Sequence, residues 1–296
     1  MKIIITLIFM LISSTSFGQN GQRNSGNIIQ DNWNAGDPYE YFMGRWSSLM
    51  SVEFLSWLDS TASDVWLDLG CGTGALSESI VNRRSVGHLI CVDPSKEYLI
   101  KAEQRVGKGT YLVGSGSNIP VGDHTVDILV SGLVLNFIPD IDSALTEIKR
   151  VLKDGGILAA YLWDYSGKME MLRYFWDAAV RENQDARQLD EGIRFPICNP
   201  DSLKKLFEDA GFLQIEVTTL DIETRFVDFD DYWKPFLGGQ GPAPGYLSSL
   251  SNEDQEKLRI RVYNSLPIEA NGSIRLTGRA IAIKGIAEQK AVARDQ

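Results

Sequence analysis

Basic side chains are under-represented in this 296-residue sequence: 29 lysines and arginines face 39 aspartates and glutamates, for a formal net charge of −10 and a pI near 4.8. Nucleic acid and anionic membrane surfaces attract proteins with an excess of Lys and Arg, so neither is an expected partner. Histidine is almost missing, and His88 and His124 both stand beside expected strand starts, where a cap or surface role suits them better than catalysis. Cysteine is sparse as well. Cys71, Cys91 and Cys198 are odd in number and lack C-x-x-C or metal-ligand spacing, so they read as small core hydrophobes rather than a disulfide framework or a zinc site. No low-complexity tract or internal repeat is visible. With 44% hydrophobic and 23% charged residues the composition is that of an ordinary globular protein, which excludes disordered, collagen-like and coiled-coil classes. The length suits one large domain or two small ones.

No run reaches the ~20 apolar residues that a membrane-spanning helix needs, so no stable span is expected in the mature chain. The apolar run Ile3 to Ile12 follows Lys2 and leads into Ser13-Ser14-Thr15-Ser16 and the small-x-small pattern Ser16-Phe17-Gly18. That is the layout of a secretory signal cleaved after Gly18, with a first strand or buried helix as the alternative. Residues 19–37 are polar and read as a flexible leader. The folded domain is expected over 38–286, with a tail at 287–296.

From Asp64 onward, short β-rich runs alternate with helical patterns: Val65 to Leu69, Leu89 to Val92, Thr110 to Val113, Val126 to Val130 and Ile157 to Trp163. Such alternation predicts parallel strands joined by crossover helices. Residues 46–58 show an amphipathic helical pattern. A further helix over Ile141 to Leu152 gathers Ile141, Ala144, Leu145, Ile148, Val151 and Leu152 on one face, with Gly155-Gly156 as a left-handed cap. Ser202 to Ala210 reads as a helix and Leu213 to Thr219 as a strand. Residues 220–250 then mix aromatics with the breaker run Gly238 to Gly245, which suits an insertion acting as a lid or a packed surface excursion. The insertion and a charged helix, Ser251 to Ser265, fill 220–272 before a terminal strand over Ile274 to Ile283.

The most specific segment is VWLDLGCGTGALS, Val65 to Ser77, where a strand passes through Asp68 into Gly70, Gly72 and Gly74 and then a helix. Glycines are needed where the chain turns sharply from strand to helix and where a ligand lies against the backbone. Nineteen residues beyond Gly74 the next strand ends in Asp93, placed to accept hydrogen bonds from both ribose hydroxyls of a nucleoside across the sheet edge. The loop read permissively fits the G-x-G-x-x-A dinucleotide fingerprint. Against a dinucleotide, the Asp68 carboxylate would repel a pyrophosphate at the helix N-terminus but welcome an amino-acid ammonium. No tyrosine has Lys four residues later, so one common hydride-transfer arrangement is missing.

Together with VDPSKEYL from Val92, SNIPVGDHTVDILVSGLVLNFIPD from Ser117 and LTEIKRVLKDGGIL from Leu145, this segment resembles the class I S-adenosylmethionine-dependent methyltransferases. The likeness is to their small-molecule, quinone-biosynthesis-like branch and spans about residues 39–286. It implies an α/β, Rossmann-like doubly wound sheet of seven mostly parallel strands, with an antiparallel last strand preceded by the aromatic-rich insertion. It also implies S-adenosylmethionine as cofactor and a small-molecule methyl acceptor. By position, Asp68 and the Gly70, Gly72, Gly74 loop would hold the methionine portion, with Arg45 on its carboxylate or, as the alternative, a surface arginine stacked on Trp46. Asp93 would hold the ribose, and Pro94, Ser95, Ser115, Gly116 and Ser117 would border the adenine. The family commonly carries an acid where this chain reads Gly114-Ser115-Gly116, a departure that Ser115 meets only with a hydroxyl. Leu133 to Asn136 follows the fourth strand, at the ligand crevice of such a sheet, with Leu133 toward the cofactor and Asn136 toward the reaction centre.

A sulfonium methyl is a potent electrophile, so catalysis can consist of holding the reactants in line, with a base needed only for a protonated acceptor. Asp164 and Tyr165, just after the fifth strand, are the catalytic candidates, with a helix cap and a packed aromatic as the alternative. The aromatic insertion favours an apolar or ring-bearing acceptor. An exported, non-catalytic binding protein on the same fold stays open, as does a nicotinamide-dependent oxidoreductase. The export-like segment and a cofactor kept in the cytoplasm point to different compartments.

Overall fold

Strands covered on both faces read as continuous apolar runs, and β-rich runs such as Val65 to Leu69 become the centre of a sheet in the computed structural model. It describes residues 40–59, 63–238 and 241–288. The signal-like segment 1–18, the leader 19–37, Gly239-Gln240 and the tail from residue 289 lie outside the described residues.

After a π-helical turn at Glu40–Gly44 come α1 (Arg45–Leu58), β1 (Ser63–Leu69), α2 (Ala75–Arg83), β2 (Val86–Asp93), α3 (Lys96–Val106), β3 (Thr110–Val113) and β4 (Val126–Gly132). There follow α4 (Ile141–Val151), β5 (Leu152–Trp163), α5 (Glu170–Glu182), the short α6 (Glu191–Arg194), α7 (Pro200–Asp209) and β6 (Phe212–Phe226). The last elements are α8 (Phe229–Trp233), α9 (Pro242–Ser249), α10 (Asn252–Ser265) and β7 (Ile274–Ala287). The seven strands form one sheet in the order β3-β2-β1-β4-β5-β7-β6. The first five are parallel, and β7 runs antiparallel to both β5 and β6. Strand order reverses between β1 and β4, which opens a crevice at their carboxyl ends.

Capping and periodicity explain the helices. Asp140 accepts the Ser143 N–H at the start of α4, whose Ala144, Leu145, Ile148 and Val151 are buried. The expected left-handed cap at Gly155-Gly156 is not where α4 ends. Pairing of Leu152 with Val126 draws the backbone into the sheet first, and the glycines lie in a register shift before Ile128 pairs with Ile157. At the other end of the sheet β6 is longer than expected. Its pairing with β7 runs from Glu216 opposite Lys284 to Phe226 opposite Ile274, so residues 220–226 are strand and the insertion starts at Val227. A register shift between Leu213 and Glu216 holds Gln214 at φ 48°.

The insertion is a packed excursion. Phe229, Tyr232, Trp233, Phe236 and Tyr246 are buried. Phe236 stacks on Phe175 of α5 at 4.7 Å, and the Tyr232 hydroxyl donates to the Met171 carbonyl at 2.7 Å. Part of the breaker run is helical, because Pro242 falls in the first turn of α9, where a missing N–H costs nothing. Among the described residues no helix is long and apolar enough to cross a membrane, and no cluster of His, Cys, Asp and Glu is arranged to hold a metal ion. All three cysteines are buried thiols.

Candidate functional site

The chain leaves β1 through the glycine loop and enters α2, with Gly70, Gly72 and Gly74 at φ 73°, 53° and 88°. L residues avoid this region. The N–H groups of Gly70 and Cys71 both donate to the Val92 carbonyl, at 2.7 and 3.1 Å, which ties the loop to the end of β2. The glycines do different work. A Cβ on Gly72 would enter open space, whereas one on Gly74 would sit 3.1 Å from the Ala102 Cα of α3. Gly74 therefore lets two helices approach, and it does not line the cavity.

That cavity, at the crevice between β1 and β4, measures about 640 Å³, within the usual range of small-molecule sites. Asp68, Gly70 and Gly72 line one side, Asp93, Pro94 and Ser95 another, and Leu133 a third. Asp68 is buried. Its Oδ2 accepts from the Ser77 hydroxyl at 2.6 Å, while Oδ1 has no hydrogen-bond partner among the described residues. Desolvation pushes its carboxyl up to about 7 against the Ser77 bond, and the nearby Asp93 charge adds to the rise. Asp93 accepts the Gly72 N–H on Oδ2 at 2.9 Å and the Ser95 N–H on Oδ1 at 2.8 Å. Burial raises its carboxyl too, with those two bonds opposing the rise. Chemically, a buried carboxylate oxygen without a partner takes a cationic donor, and a carboxylate at the rim with spare lone pairs takes hydroxyls.

Several expected residues lie elsewhere. Arg45 is not at the cavity: Nη1 pairs with Asp231 at 3.0 Å, and the guanidinium lies 4.1 Å from the Trp46 ring and 4.8 Å from Phe226. The carboxylate engages Nη1 alone, and Nε and Nη2 have no hydrogen-bond partner among the described residues. Ser115, Gly116 and Ser117 are also outside the lining, because Ser115 forms a bridge with Asn118 that turns the chain away. Asp164 caps its own loop, accepting the Gly167 and Lys168 N–H groups at 3.0 and 3.1 Å. Asn136 does not line the cavity, and its buried amide has no hydrogen-bond partner among the described residues.

Tyr165 lies in a second, smaller space of about 30 Å³, bounded by Met43, Trp163, Leu172, Pro242 and Glu191. Leu133 and Phe137 line both spaces. Leu133 is held at φ 63°, where a branched residue is strained, with its N–H donating to the Tyr161 carbonyl at 2.8 Å. Sequence reasoning missed Tyr98, Phe137 and Tyr161 in the cavity and Glu191 in the smaller niche. Tyr98 carried a signal, since Ser95 caps α3 by accepting the Tyr98 N–H. Glu191 carried none: it is 2% exposed on a four-residue helix, and the Trp176 Nε1–H donates to its Oε2. Desolvation pushes the Glu191 carboxyl up to about 8.

A family model described as a methyltransferase domain matches residues 67–160, which run from β1 into β5. A malonyl-[acyl-carrier protein] O-methyltransferase of Pectobacterium atrosepticum is 31% identical over 135 residues, 45% of this chain and 52% of that protein. The chain thus spans about half the length of that curated relative. Among solved structures, a putative methyltransferase from Bacillus halodurans superposes with a TM-score of 0.53 at 16% identity, covering 81% of this chain and 99% of that one. A Haemonchus contortus phosphoethanolamine N-methyltransferase in complex with S-adenosyl-L-methionine gives 0.53 at 17% identity, over 86% of this chain and 56% of that one. The 3-2-1-4-5-7-6 sheet with the glycine loop at its switch point is the fold shared with those solved methyltransferases, and residues 67–160 match a methyltransferase domain.

Proposed function

We propose that the chain, with residues 38–286 as its catalytic domain, transfers a methyl group from S-adenosylmethionine to a small, apolar or ring-bearing acceptor by in-line displacement. The observation that carries this reading is the pairing of Asp68, whose buried Oδ1 has no partner among the described residues, with Asp93 across a loop that leaves open space at Gly72. Both groups fit the cofactor. Asp68 takes the ammonium of the methionine portion, which satisfies Oδ1 and favours its ionised form. Asp93 takes the ribose hydroxyls on lone pairs that Gly72 and Ser95 leave spare. Pro94, Ser95 and Tyr98 border the base, while Ser115, Gly116 and Ser117 are not among the residues that line the cavity. When bound, the cofactor supplies a sulfonium-activated methyl, an electrophile needing neither metal nor covalent intermediate. The protein's part is to orient the acceptor and exclude water, for which the hydrocarbon and aromatic walls of Leu133, Phe137 and Tyr161 are suited.

Calorimetric titration of the folded protein with S-adenosylhomocysteine tests this reading. Binding in the micromolar range, about −8 kcal/mol, is the expected result. A folded protein that does not bind turns the reading toward an exported binding protein on the same fold. The two glycines separate binding from stability. Gly72→Val should keep most of the stability, losing about 1–3 kcal/mol from its positive φ, and lose ligand affinity as its side chain fills the cavity. Gly74→Val should lower the melting temperature further, because its Cβ meets backbone. Equal melting and equal affinity in the two variants would contradict the division of roles.

A further inference from the structure

We propose that Glu191 forms the polar end of the methyl-acceptor subsite and that the acceptor is a phenol or enol whose hydroxyl hydrogen-bonds the Glu191 carboxyl group. The inference rests on the methyl-transfer reading above. Its geometric ground is the niche beside the cofactor cavity. Leu133 and Phe137, on the segment after β4, line both spaces, which therefore adjoin there. Among the described residues Glu191 is the sole carboxylate lining the niche, between walls such as Met43, Trp163 and Leu172. At about 30 Å³ the niche has room for a water-sized polar group and none for a ring, so what enters it is the reacting hydroxyl. The ring of such an acceptor lies against Phe137 and Leu133 on the larger side.

The carboxyl group is held in place. Trp176 Nε1 donates to Oε2, and Arg173 clamps the start of α6 by pairing with Asp190 through Nη1 at 2.9 Å and Nη2 at 2.7 Å. A role confined to satisfying the Trp176 N–H needs only a neutral acceptor such as a glutamine amide, without the penalty of an ionisable group taken out of water. A strongly perturbed acid beside a ligand cavity is a candidate for proton chemistry.

The niche also selects the acceptor class. Among the described residues no Lys, Arg or His lines it, so an anionic acceptor meets no countercharge there. Burial brings the carboxyl to about 8, within reach of a phenolic hydroxyl of about 10, whereas an aliphatic alcohol is far too weak an acid to exchange a proton with it. The charged and titratable neighbours are Tyr165 of the same niche, Asp190, which raises the carboxyl further, Arg194, which lowers it, Cys198 just beyond α6, and Arg173, already engaged by Asp190. As the acceptor oxygen gains its bond to the methyl carbon, the hydroxyl proton passes to the Glu191 carboxylate. The sulfur keeps the electron pair of the bond that breaks.

The test uses the full chain saturated with S-adenosylhomocysteine and titrated calorimetrically with phenol as the probe, which stays protonated up to about pH 9, for wild type, Glu191→Gln and Leu172→Phe. Wild type should bind the probe, with an affinity that varies with pH as Glu191 titrates. Glu191→Gln should weaken binding about ten-fold or more and remove that pH dependence, with S-adenosylhomocysteine affinity unchanged. A purely structural Glu191 would shift melting and leave the pH profile of probe binding alone. Leu172→Phe, which fills the niche without touching the acid, should block the probe as well, and it decides the matter if Glu191→Gln does not fold. Equal probe affinity in wild type and the folded variants overturns the proposal, as does a wild type that binds S-adenosylhomocysteine but not the phenol. Failure to bind S-adenosylhomocysteine at all brings down the methyl-transfer reading and this inference with it.

Discussion

Asp93→Ala is expected to weaken S-adenosylhomocysteine binding about 100-fold or more while leaving the protein folded, since two hydrogen bonds to a charged group are each worth about 1.5–3 kcal/mol. The size of the effect comes from a double duty. The carboxylate faces the cavity, and it also accepts the Gly72 and Ser95 N–H groups, so it fixes the glycine loop and the start of α3 against one another. Alanine removes the ligand contact and releases both segments. The freed N–H groups border an open cavity that water can enter, which is why the fold survives. Asp93→Asn separates the two duties. It keeps one acceptor oxygen and loses the charge, so it should fall between wild type and alanine. Calorimetry on variants with matched melting curves checks this, and wild-type affinity in folded Asp93→Ala would remove Asp93 from the site.

Raising the pH from about 5 to about 9 is expected to destabilise the ligand-free protein by several kcal/mol, the larger part from Glu191 and Asp68. Burial lifts Glu191 from 4.5 to about 8 and Asp68 from 3.8 to about 7. Below about pH 3 both groups are protonated in the folded and the unfolded chain, and their stabilising effect is fully present. Between the unfolded and folded values the unfolded chain loses protons that the folded chain retains, so each added pH unit favours unfolding, until the folded values are passed. Each group contributes on the order of 4 kcal/mol across its window, because every pH unit between the unfolded and folded values is worth about 1.4 kcal/mol. Urea titrations at a series of pH values measure the slope. Glu191→Gln and Asp68→Asn should each flatten it, and a wild-type profile flat from about pH 5 to about 8 would contradict the elevation of both carboxyls. A ligand ammonium at Asp68 restores the ionised form, so S-adenosylhomocysteine binding near pH 6 should release a proton, visible as a dependence of the binding heat on the buffer.

The sequence discloses the part of the site built from consecutive residues. Asp68, the glycine loop and Asp93 sit at the ends of adjacent strands, so their spacing along the chain translates directly into spacing across the sheet. Ser95 follows for the same reason. The helix α4 is legible because its apolar stripe and the Asp140 cap are local. Contacts closed by distant segments are not. Arg45 stands in a plausible motif, but its partner Asp231 lies 186 residues away, and no local pattern announces that pair. Glu191 lies in a polar stretch that gives no periodicity to read, and its burial depends on Trp176 and on Pro242 of the insertion. The end of α4 is hidden for another reason: a glycine pair looks like a cap, whereas the strand pairing of Leu152 acts first.

The long β6–β7 ribbon leaves β6 as one outer strand of the sheet and the four-residue β3 as the other. An outer strand is a template on which a second chain can add, the first step toward aggregation. Here that template is spoiled. Asp221 binds Arg279 through two bonds at 2.6 and 2.8 Å, Glu216 meets Lys284 at 3.2 Å, and the register shift at Gln214 kinks the strand near its start. These cross-strand pairs contribute little to stability at the surface. Their consequence is colloidal: an incoming strand would have to desolvate a row of charges and match an irregular register, so molecules at high concentration stay apart along this edge.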